Sequence, residues 1–171
     1  MSNSITGKLR GAFLGVCTLA LWSAAAQSQV TRLPGGNANS PIAQAVTVPP
    51  GYTTYYISGT PAGPADPNAP AGTPQRYGDT ATQTTNSLKR LGQSLAALGL
   101  TFGDVVKATV FIAPDPANGG KINFAAMNKS WSEFFGTPEQ PNKPARSTIQ
   151  VTLVSQGGLI EIEMVAVKKA P

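Results

Sequence analysis

The chain contains no histidine, and its single cysteine, Cys17, lies close to the N-terminus. Without histidine, Ser-His and Cys-His catalytic pairs are excluded, and zinc loses its most common nitrogen ligand. Residues 1–26 have the features of a removable leader, so the mature chain would have neither a thiol nor a disulfide. Any chemistry must then come from carboxylates, basic side chains, hydroxyls, amides and the backbone.

The first 26 residues have the three parts of a secretory signal peptide. Lys8 and Arg10 form a basic start, residues 11–22 form an apolar run, and residues 24–26 are small alanines suited to cleavage. The apolar run is shorter than the roughly 20 residues that span a bilayer, so an uncleaved anchor is only the alternative. The pattern predicts cleavage before Gln27 and a periplasmic or secreted protein that no longer contacts a membrane.

Charged residues are scarce, at 12% of the 171 residues. Loss of the leader removes Lys8 and Arg10, which leaves eleven basic residues against eight acidic ones, a net charge of +3. Such a small excess does not predict a nucleic-acid partner, because that requires a dense basic surface. The hydrophobic fraction of 41% fits one globular domain over 51–171, preceded by an extended segment over 27–50.

The hydrophobic pattern predicts an alternation of strands and helices. An apolar stripe at helical spacing begins after Asp79 and ends before Gly99, a suitable helix terminus. The segment 60–78 contains five prolines and is expected to form an irregular surface loop. Strands are predicted over 52–59, 104–113, 145–154 and 159–168, and a second helix over 123–135. The order β-α-β-α-β-β predicts an α+β fold with both helices on one face of a sheet.

The strand predicted over 145–154 has two different sides, because strand side chains alternate. Ile149 lies on a largely apolar side that is expected to face the core, whereas Arg146 and Thr148 lie on the other side. In the strand over 159–168, Glu161 likewise lies opposite an apolar side that includes Ile160 and Ile162.

Four polar sites are candidates for function: Arg146, Glu161, the pair Ser58-Gly59 at the end of a strand, and Asn128 within an apolar helix stripe. Each also has an ordinary structural explanation. Charged strand residues are usually solvated or ion-paired, an asparagine can bond a neighbouring loop, and Ser-Gly commonly ends a strand. Spacing alone therefore does not define a site.

Four stretches in a fixed order resemble the RidA/YjgF family of enamine/imine deaminases. They are DVVKATVFIA (104–113), FAAMNKSWSEFFG (124–136), KPARSTIQV (143–151) and GLIEIEMVAV (158–167). The resemblance runs from about Ser40 to Val167. It implies a chorismate-mutase-like fold with a mixed sheet, a homotrimer with active sites between subunits, and no cofactor. It also implies hydrolysis of 2-imino acids and their enamine tautomers to 2-keto acids and ammonia.

The same resemblance assigns roles to individual residues. Arg146 matches the arginine that binds the substrate carboxylate, a task that suits a bidentate guanidinium better than a lysine. Glu161 matches the glutamate that orients the attacking water. Ser58 and Gly59 match a Ser-Gly pair that lines the pocket, and Asn128 matches a helix asparagine near the site.

Three features depart from the family pattern. Thr148 stands where many relatives have cysteine, which keeps the backbone contact with the substrate but removes the thiol. Ile42 stands where many relatives have tyrosine, which removes a hydroxyl from the edge of the pocket. The proline-rich segment 60–78 is longer than the usual link. These departures concern the choice of substrate more than the fold.

The short connection 155–158 implies that the last two predicted strands run antiparallel. Arg146 and Glu161 are then about six residues apart along the strand axis, or roughly 20 Å. Because a small imino acid cannot contact both groups over that distance, each active site is expected to combine Arg146 of one subunit with Glu161 of another.

Two other functions are alternatives to deamination. A non-catalytic trimer that binds small carboxylates would need Arg146 but not Glu161. A ribonuclease, which an older family name suggests, has little support here, because the chain lacks histidine and has no interleaved aromatic and basic residues.

Overall fold

A computed structural model describes residues 29–37 and 39–170, so the predicted signal peptide over 1–26 lies outside the described residues. The strands are β1 (Thr31–Pro34), β2 (Ala43–Thr47), β3 (Tyr52–Pro61), β4 (Val105–Ile112), β5 (Ala145–Gln150) and β6 (Ile160–Lys169). The helices are α1 (Pro74–Tyr77), α2 (Thr80–Ala97) and α3 (Phe124–Trp131). Within the described ranges, no helix has the length and apolar character needed to cross a membrane.

The six strands form one mixed sheet in the order β1-β2-β5-β4-β6-β3. The central strand β4 runs parallel to β5 and antiparallel to β6, so β5 and β6 are antiparallel to each other but separated by β4. Strand β3 pairs with β6 at one edge, and the β1–β2 hairpin joins the other edge through the pairing of Ala43 with Ala145.

Helices α2 and α3 cover one face of the sheet, as the hydrophobic pattern predicts. Alternate residues of β4 and β6 point toward them, and the core that results includes Leu88, Leu91, Leu95, Val110, Ile112, Met127, Trp131, Ile160, Ile162 and Met164, all 0–2% exposed. Burial of a leucine or isoleucine of this kind contributes about 1.5–3 kcal/mol. This one-sided core confirms the α+β architecture.

The opposite face of the sheet carries no helix. The alternate residues of the central strands point to it, namely Lys107, Thr109, Phe111, Glu161, Glu163 and Val165. Tyr56 of β3 is 83% exposed on this side. We call this surface the open face.

Strand β5 is oriented differently from the prediction. Arg146 pairs with Ala108 and Thr148 pairs with Val110, so both point toward the helices, whereas Ile149 lies on the open face and is 47% exposed. The expectation that Ile149 faces the core was therefore wrong. The apolar character of this side chain does not decide its direction, because strand register is set by pairing with β4.

Several boundaries also differ from the prediction. Strand β5 ends at Gln150 rather than at residue 154, because its partner β4 ends at Ile112 and offers no further edge. Helix α3 ends at Trp131, and the chain continues as turns over 132–134 and a bend at 135. The segment over 27–50 is not only extended, since it contains the hairpin of β1 and β2.

The proline-rich segment 60–78 is organised around one side chain. The Arg76 guanidinium donates to the carbonyl oxygens of Pro67 at 2.6 Å and Ala69 at 2.8 Å. The backbone carbonyl of Arg76 accepts from the amides of Ala65 and Asp66. Because prolines cannot donate backbone hydrogen bonds, these contacts supply the partners that a regular element would otherwise provide.

Candidate active site

The position of Arg146 follows from Pro144, which directly precedes strand β5. Proline favours an extended conformation in the residue before it and cannot continue a helix, and β5 begins directly afterwards at Ala145. Pairing with Ala108 then directs the Arg146 side chain to the helix-covered face, against α3. The arginine is thus a partly buried residue of the sheet and not a surface group.

Three side chains of α3 surround the guanidinium. Its Cζ lies 4.7 Å from the centroid of the Trp131 ring and 5.9 Å from that of Phe124, and Nη2 donates to Oδ1 of Asn128 at 2.5 Å. These residues lie at positions i, i+4 and i+7 of one helix, so they share one side. The spacing is visible in the sequence, but it does not show that Trp131 and Phe124 contact Arg146.

Trp131 is itself held in place. Its indole Nε1 donates to the carbonyl oxygen of Pro41 at 3.1 Å, and its ring stacks on Phe135 with the centroids 4.4 Å apart. The fully buried indole therefore forms a fixed platform beside the cation, where a cation–π contact contributes about 0.5–2 kcal/mol. The same hydrogen bond ties the segment around Pro41 to the indole.

The charge of Arg146 is not neutralised by the rest of the described chain. Burial lowers the pKa of the Arg146 guanidinium to about 10, and no carboxylate opposes this effect. The group nevertheless stays protonated at neutral pH. Its Nε and Nη1 atoms are buried and have no hydrogen-bond partner. A buried cation in this state favours the approach of an anion that can accept from several N–H groups.

Thr148 adds a third unpaired group to the same cluster. Its Oγ1 is buried without a partner, and the side chain lies two residues along β5 on the same face as Arg146. Buried polar atoms in native structures almost always have a partner, so three of them on one strand indicate a place for a ligand. The structure thus brings together Arg146, Asn128 and Thr148.

Ser58, Gly59 and Glu161 form a second group on the opposite side of the sheet. Strands β3 and β6 pair regularly up to Ile57, and the register then shifts before Thr60, so Ser58 and Gly59 form a bulge. A Cβ atom built on Gly59 would overlap Oε1 of Glu161 and come within 3.0 Å of its Cδ. Ser58 lines a cavity of about 280 Å³ on the open face, together with residues that include Lys107 and Glu163.

The two groups are not in contact within one chain. Arg146 is level with Ala108 of β4, and Glu161 is level with Phe111, an offset of three residues or about 10 Å at about 3.3 Å per residue. The predicted offset of about 20 Å was wrong, because β5 ends at Gln150 and residues 151–159, not only 155–158, form the connection. The separation remains nonetheless, since the side chains point to opposite faces and β4 lies between their strands.

Two cavities of more than 400 Å³ lie away from Ser58. A cavity of about 450 Å³ lies beside Arg32 and Asp104, and Nη2 of Arg32 there donates to the carbonyls of Gly103 and Val105. A cavity of about 480 Å³ lies among the loops that contain Gly72 and Asp115. The described residues contain no cluster of three or more His, Cys, Asp or Glu side chains that could hold a metal ion.

Comparison with known proteins identifies this combination of fold and residues. The family model described as Endoribonuclease L-PSP matches residues 37–168. A 2-iminobutanoate/2-iminopropanoate deaminase from Rattus norvegicus is 36% identical over 116 residues, which cover 67% of this chain and 73% of the relative.

Solved structures show the same fold. A Rid-family protein of unknown function, YyfB from Yersinia pestis, has a TM-score of 0.60 at 26% identity and covers 82% of this chain and 98% of its own. Escherichia coli TdcF with bound serine has a TM-score of 0.52 at 30% identity and covers 80% of this chain and 94% of its own.

Proposed function

The chain belongs to the RidA/YjgF family, whose sequence model is described as Endoribonuclease L-PSP, and on this premise we propose that it hydrolyses 2-imino acids and their enamine tautomers. The products are 2-keto acids and ammonia. Relatives about 35% identical are named 2-iminobutanoate/2-iminopropanoate deaminases, and this supports the reaction class. No cofactor is needed, because hydrolysis of a C=N bond consumes only water.

The observation that carries the proposal is the state of Arg146. Its guanidinium is buried, has one hydrogen-bond partner, and retains two nitrogens without any. A carboxylate is the ligand that best matches this planar donor, and hydrogen bonds to charged groups contribute about 1.5–3 kcal/mol. Phe124, over which the guanidinium lies at 5.9 Å, is 45% exposed at the first position of α3, so the cluster reaches the surface at this end of the helix.

Glu161 is the candidate for water activation. In the proposed step its carboxylate accepts a proton from water as the oxygen bonds to C2 of the protonated imine. The nitrogen of the resulting carbinolamine takes up that proton, and the C2–N bond then breaks while the Glu161 carboxylate, deprotonated again, accepts the proton of the hydroxyl group. The keto group forms, ammonia departs, and Glu161 releases its proton to solvent. A positioned carboxylate of this kind contributes about a 10²–10⁴-fold acceleration through general acid–base catalysis.

The opposite orientations of Arg146 and Glu161 support a site shared between subunits. One substrate can meet both groups only if each is supplied by a different chain. The open face is the surface available for such an assembly, and Tyr56 and Ile149 expose apolar area on it. We therefore propose a homotrimer in which Arg146 of one subunit faces Glu161 of its neighbour.

The test is an imine-hydrolysis assay with the purified protein and 2-imino acids generated in place by an amino-acid oxidase. Wild-type protein should shorten the lifetime of the imine, and Arg146→Ala should abolish the acceleration while its circular dichroism stays native. Lys129→Ala is the matched control, because Lys129 is an exposed cation one residue after Asn128. A folded Arg146→Ala protein with unchanged kcat/KM would contradict the proposal.

A non-catalytic carboxylate-binding trimer is the second candidate. The distance between Arg146 and Glu161 within one chain favours it, because binding requires only the arginine. The two functions separate in Glu161→Gln, which should lose hydrolysis but retain 2-oxobutanoate binding if the protein is an enzyme. If wild-type protein binds 2-oxobutanoate through Arg146 yet never accelerates hydrolysis, the binding function is correct. Glu163→Gln, two residues away on the same face, is the matched control.

We also propose that the protein acts outside the cytoplasm, as residues 1–26 predict. Mass spectrometry of the protein recovered from its native compartment should find a chain that begins near Gln27. Recovery of a cytosolic chain that still begins with Met1 would refute export.

A further inference from the structure

Gly59 and Glu161 occupy space that two ordinary side chains could not share. A Cβ on Gly59 would overlap Oε1 of Glu161, and it would lie within 3.0 Å of Cδ and 3.3 Å of Cγ. The overlap with Oε1 does not occur between real atoms, and the other two contacts are unusually tight, so the carboxylate at the end of the Glu161 side chain would have to move. The carboxylate of Glu161 thus lies directly against the backbone of β3.

Backbone conformation does not explain why residue 59 is glycine. The glycines of this chain that adopt a positive φ are found at other positions, such as Gly51 and Gly99, and Gly59 is not one of them. Its φ lies where any residue is tolerated. The absence of a side chain at residue 59 therefore concerns space, because it leaves room for the Glu161 carboxylate in its present position.

The bulge at Ser58-Gly59 explains how the close approach arises. Two residues of β3, Ser58 and Gly59, lie between the pairs Ile57–Met164 and Thr60–Ile162, whereas β6 has only Glu163 there, so β3 contains one extra residue. Breaks of this type turn a strand locally and are common beside active sites, where they redirect a side chain. Here the break brings the Cα of Gly59 under the carboxylate of Glu161.

We propose that Gly59 is a positioning residue for Glu161: its missing side chain leaves the place in which the carboxylate lies, and so determines where Glu161 holds water. This inference rests on the proposed function, since it assumes that Glu161 activates water. It differs from a role in lining the substrate pocket, because it acts on the carboxylate and not on the substrate.

The kinetic test is a double-mutant cycle in the imine-hydrolysis assay. Gly59→Ala should lower kcat about 100-fold with KM unchanged, because a displacement of about 1 Å can have that effect. Glu161→Asp should also lower kcat, since it withdraws the carboxylate by one methylene. In the Glu161→Asp background, however, Gly59→Ala should cause no further loss, because the shorter side chain leaves room for the methyl group.

Gly63→Ala is the matched control, since a Cβ there would meet only Cδ of Arg90 at 3.4 Å. Its kcat should equal that of wild type. The proposal is overturned if the losses of Gly59→Ala and Glu161→Asp multiply, or if Gly59→Ala raises KM and leaves kcat unchanged.

Thermal unfolding tests the same contact without any activity. Gly59→Ala should lower Tm in the wild-type background and should not lower it in the Glu161→Asp background. If Gly59→Ala alone does not fold, recovery of folding in the double variant supports the proposal and its failure overturns it. Wild-type protein without hydrolytic activity would contradict the proposed function, whereas absence of the Tm coupling would contradict the Gly59–Glu161 contact.

Discussion

At the scale of single residues, the Arg146 guanidinium is a cation that the folded chain shields from water without supplying a counter-charge. Burial lowers its pKa to about 10, which means that the charged form is destabilised relative to water. Trp131 and Asn128 hold the group by a cation–π contact and one hydrogen bond. A bound carboxylate would raise the pKa of Arg146 again. The missing counter-charge therefore destabilises the free protein but favours the complex with an anionic ligand.

A prediction at this scale concerns Asn128. Asn128→Asp changes the acceptor at 2.5 Å from Nη2 of Arg146 into a carboxylate of the same shape. The new charge should raise the pKa of Arg146, increase Tm and compete with the ligand, so that 2-oxobutanoate affinity falls by about tenfold or more. Titration calorimetry and thermal unfolding would measure the two effects.

The variant Asn128→Ala distinguishes the effect of the added negative charge from the effect of losing the amide hydrogen bond. It removes the hydrogen bond but adds no anion, so it should lower Tm slightly and should not raise it. If Asn128→Asp binds 2-oxobutanoate as tightly as wild type, the guanidinium of Arg146 is not the carboxylate site.

At the scale of secondary-structure elements, α2 has two different halves. Its C-terminal half packs through leucines, whereas the buried face of its N-terminal half is polar and consists of Thr80, Gln83, Thr84 and Ser87. Gln83 illustrates the use of these groups, since its amide donates to the carbonyls of Gly78 and Gly157 and accepts from the amide of Leu159. The helix thereby fixes the loops on either side of it.

Asp115 is the carboxylate that anchors the start of α2. It is 2% exposed and accepts from the Thr80 amide at 3.1 Å, the Thr80 hydroxyl at 2.7 Å and the Ala117 amide at 2.9 Å. Asp115→Ala leaves these donors unpaired, so the free energy of unfolding should fall by about 3 kcal/mol. A fall in Tm of roughly 6–12 °C follows for a chain of this length.

Asp66→Ala is the matched control for Asp115, because Asp66 lies in an exposed loop and its carboxylate accepts one local bond, from the amide of Asn68. Its Tm should stay near that of wild type, since exposed substitutions usually change the free energy of unfolding by about 0.5 kcal/mol or less. Equal Tm values for the two variants would show that Asp115 does not anchor α2. Both variants must be measured at the same protein concentration, because the Tm of the proposed trimer depends on it.

At the scale of the whole molecule, the helices leave half of the sheet uncovered. The covered face holds Arg146, and the open face holds Glu161 with Gly59 beside it. A single chain therefore presents the two proposed functional groups in different directions. Assembly through the open face would bring Arg146 of one chain and Glu161 of another together, which a single chain cannot do.

The prediction at this scale is complementation between two inactive variants. Arg146→Ala and Glu161→Gln proteins, unfolded and refolded together in equal amounts, form mixed trimers. A shared site is intact when the subunit that supplies residue 146 has the wild-type arginine and the subunit that supplies residue 161 has the wild-type glutamate. Each of these two conditions holds with a probability of about one half. About one quarter of wild-type activity should then return, as cyclic symmetry requires.

Each variant refolded alone should remain inactive, and differential tags would verify that subunits mix. Mixed trimers without activity would show that the site lies within one subunit or that one of the two residues is not needed.

Much of the fold could be predicted from local pattern. The stripe of Leu88, Leu91 and Leu95 predicts α2, and the alternation of Ile160, Ile162 and Met164 predicts the buried side of β6. These predictions are confirmed. Burial of one face requires apolar residues at a regular spacing, and this spacing can be read from the local sequence. The hairpin of β1 and β2 was not predicted as such, since its residues have little apolar alternation and depend on the edge that β5 provides.

The sequence by itself determined which residues are polar where apolar ones would be expected, and through family resemblance it indicated Arg146, Glu161, Asn128, Thr148, Ser58 and Gly59. Only the tertiary structure decided how these residues group, because strand order and register are set by contacts between distant segments. Pairing with β4 turned Arg146 and Thr148 toward α3, and the same strand separates them from Glu161. The contact of Glu161 with Gly59 likewise depends on a break in pairing between strands about one hundred residues apart, which no local pattern in either strand contains.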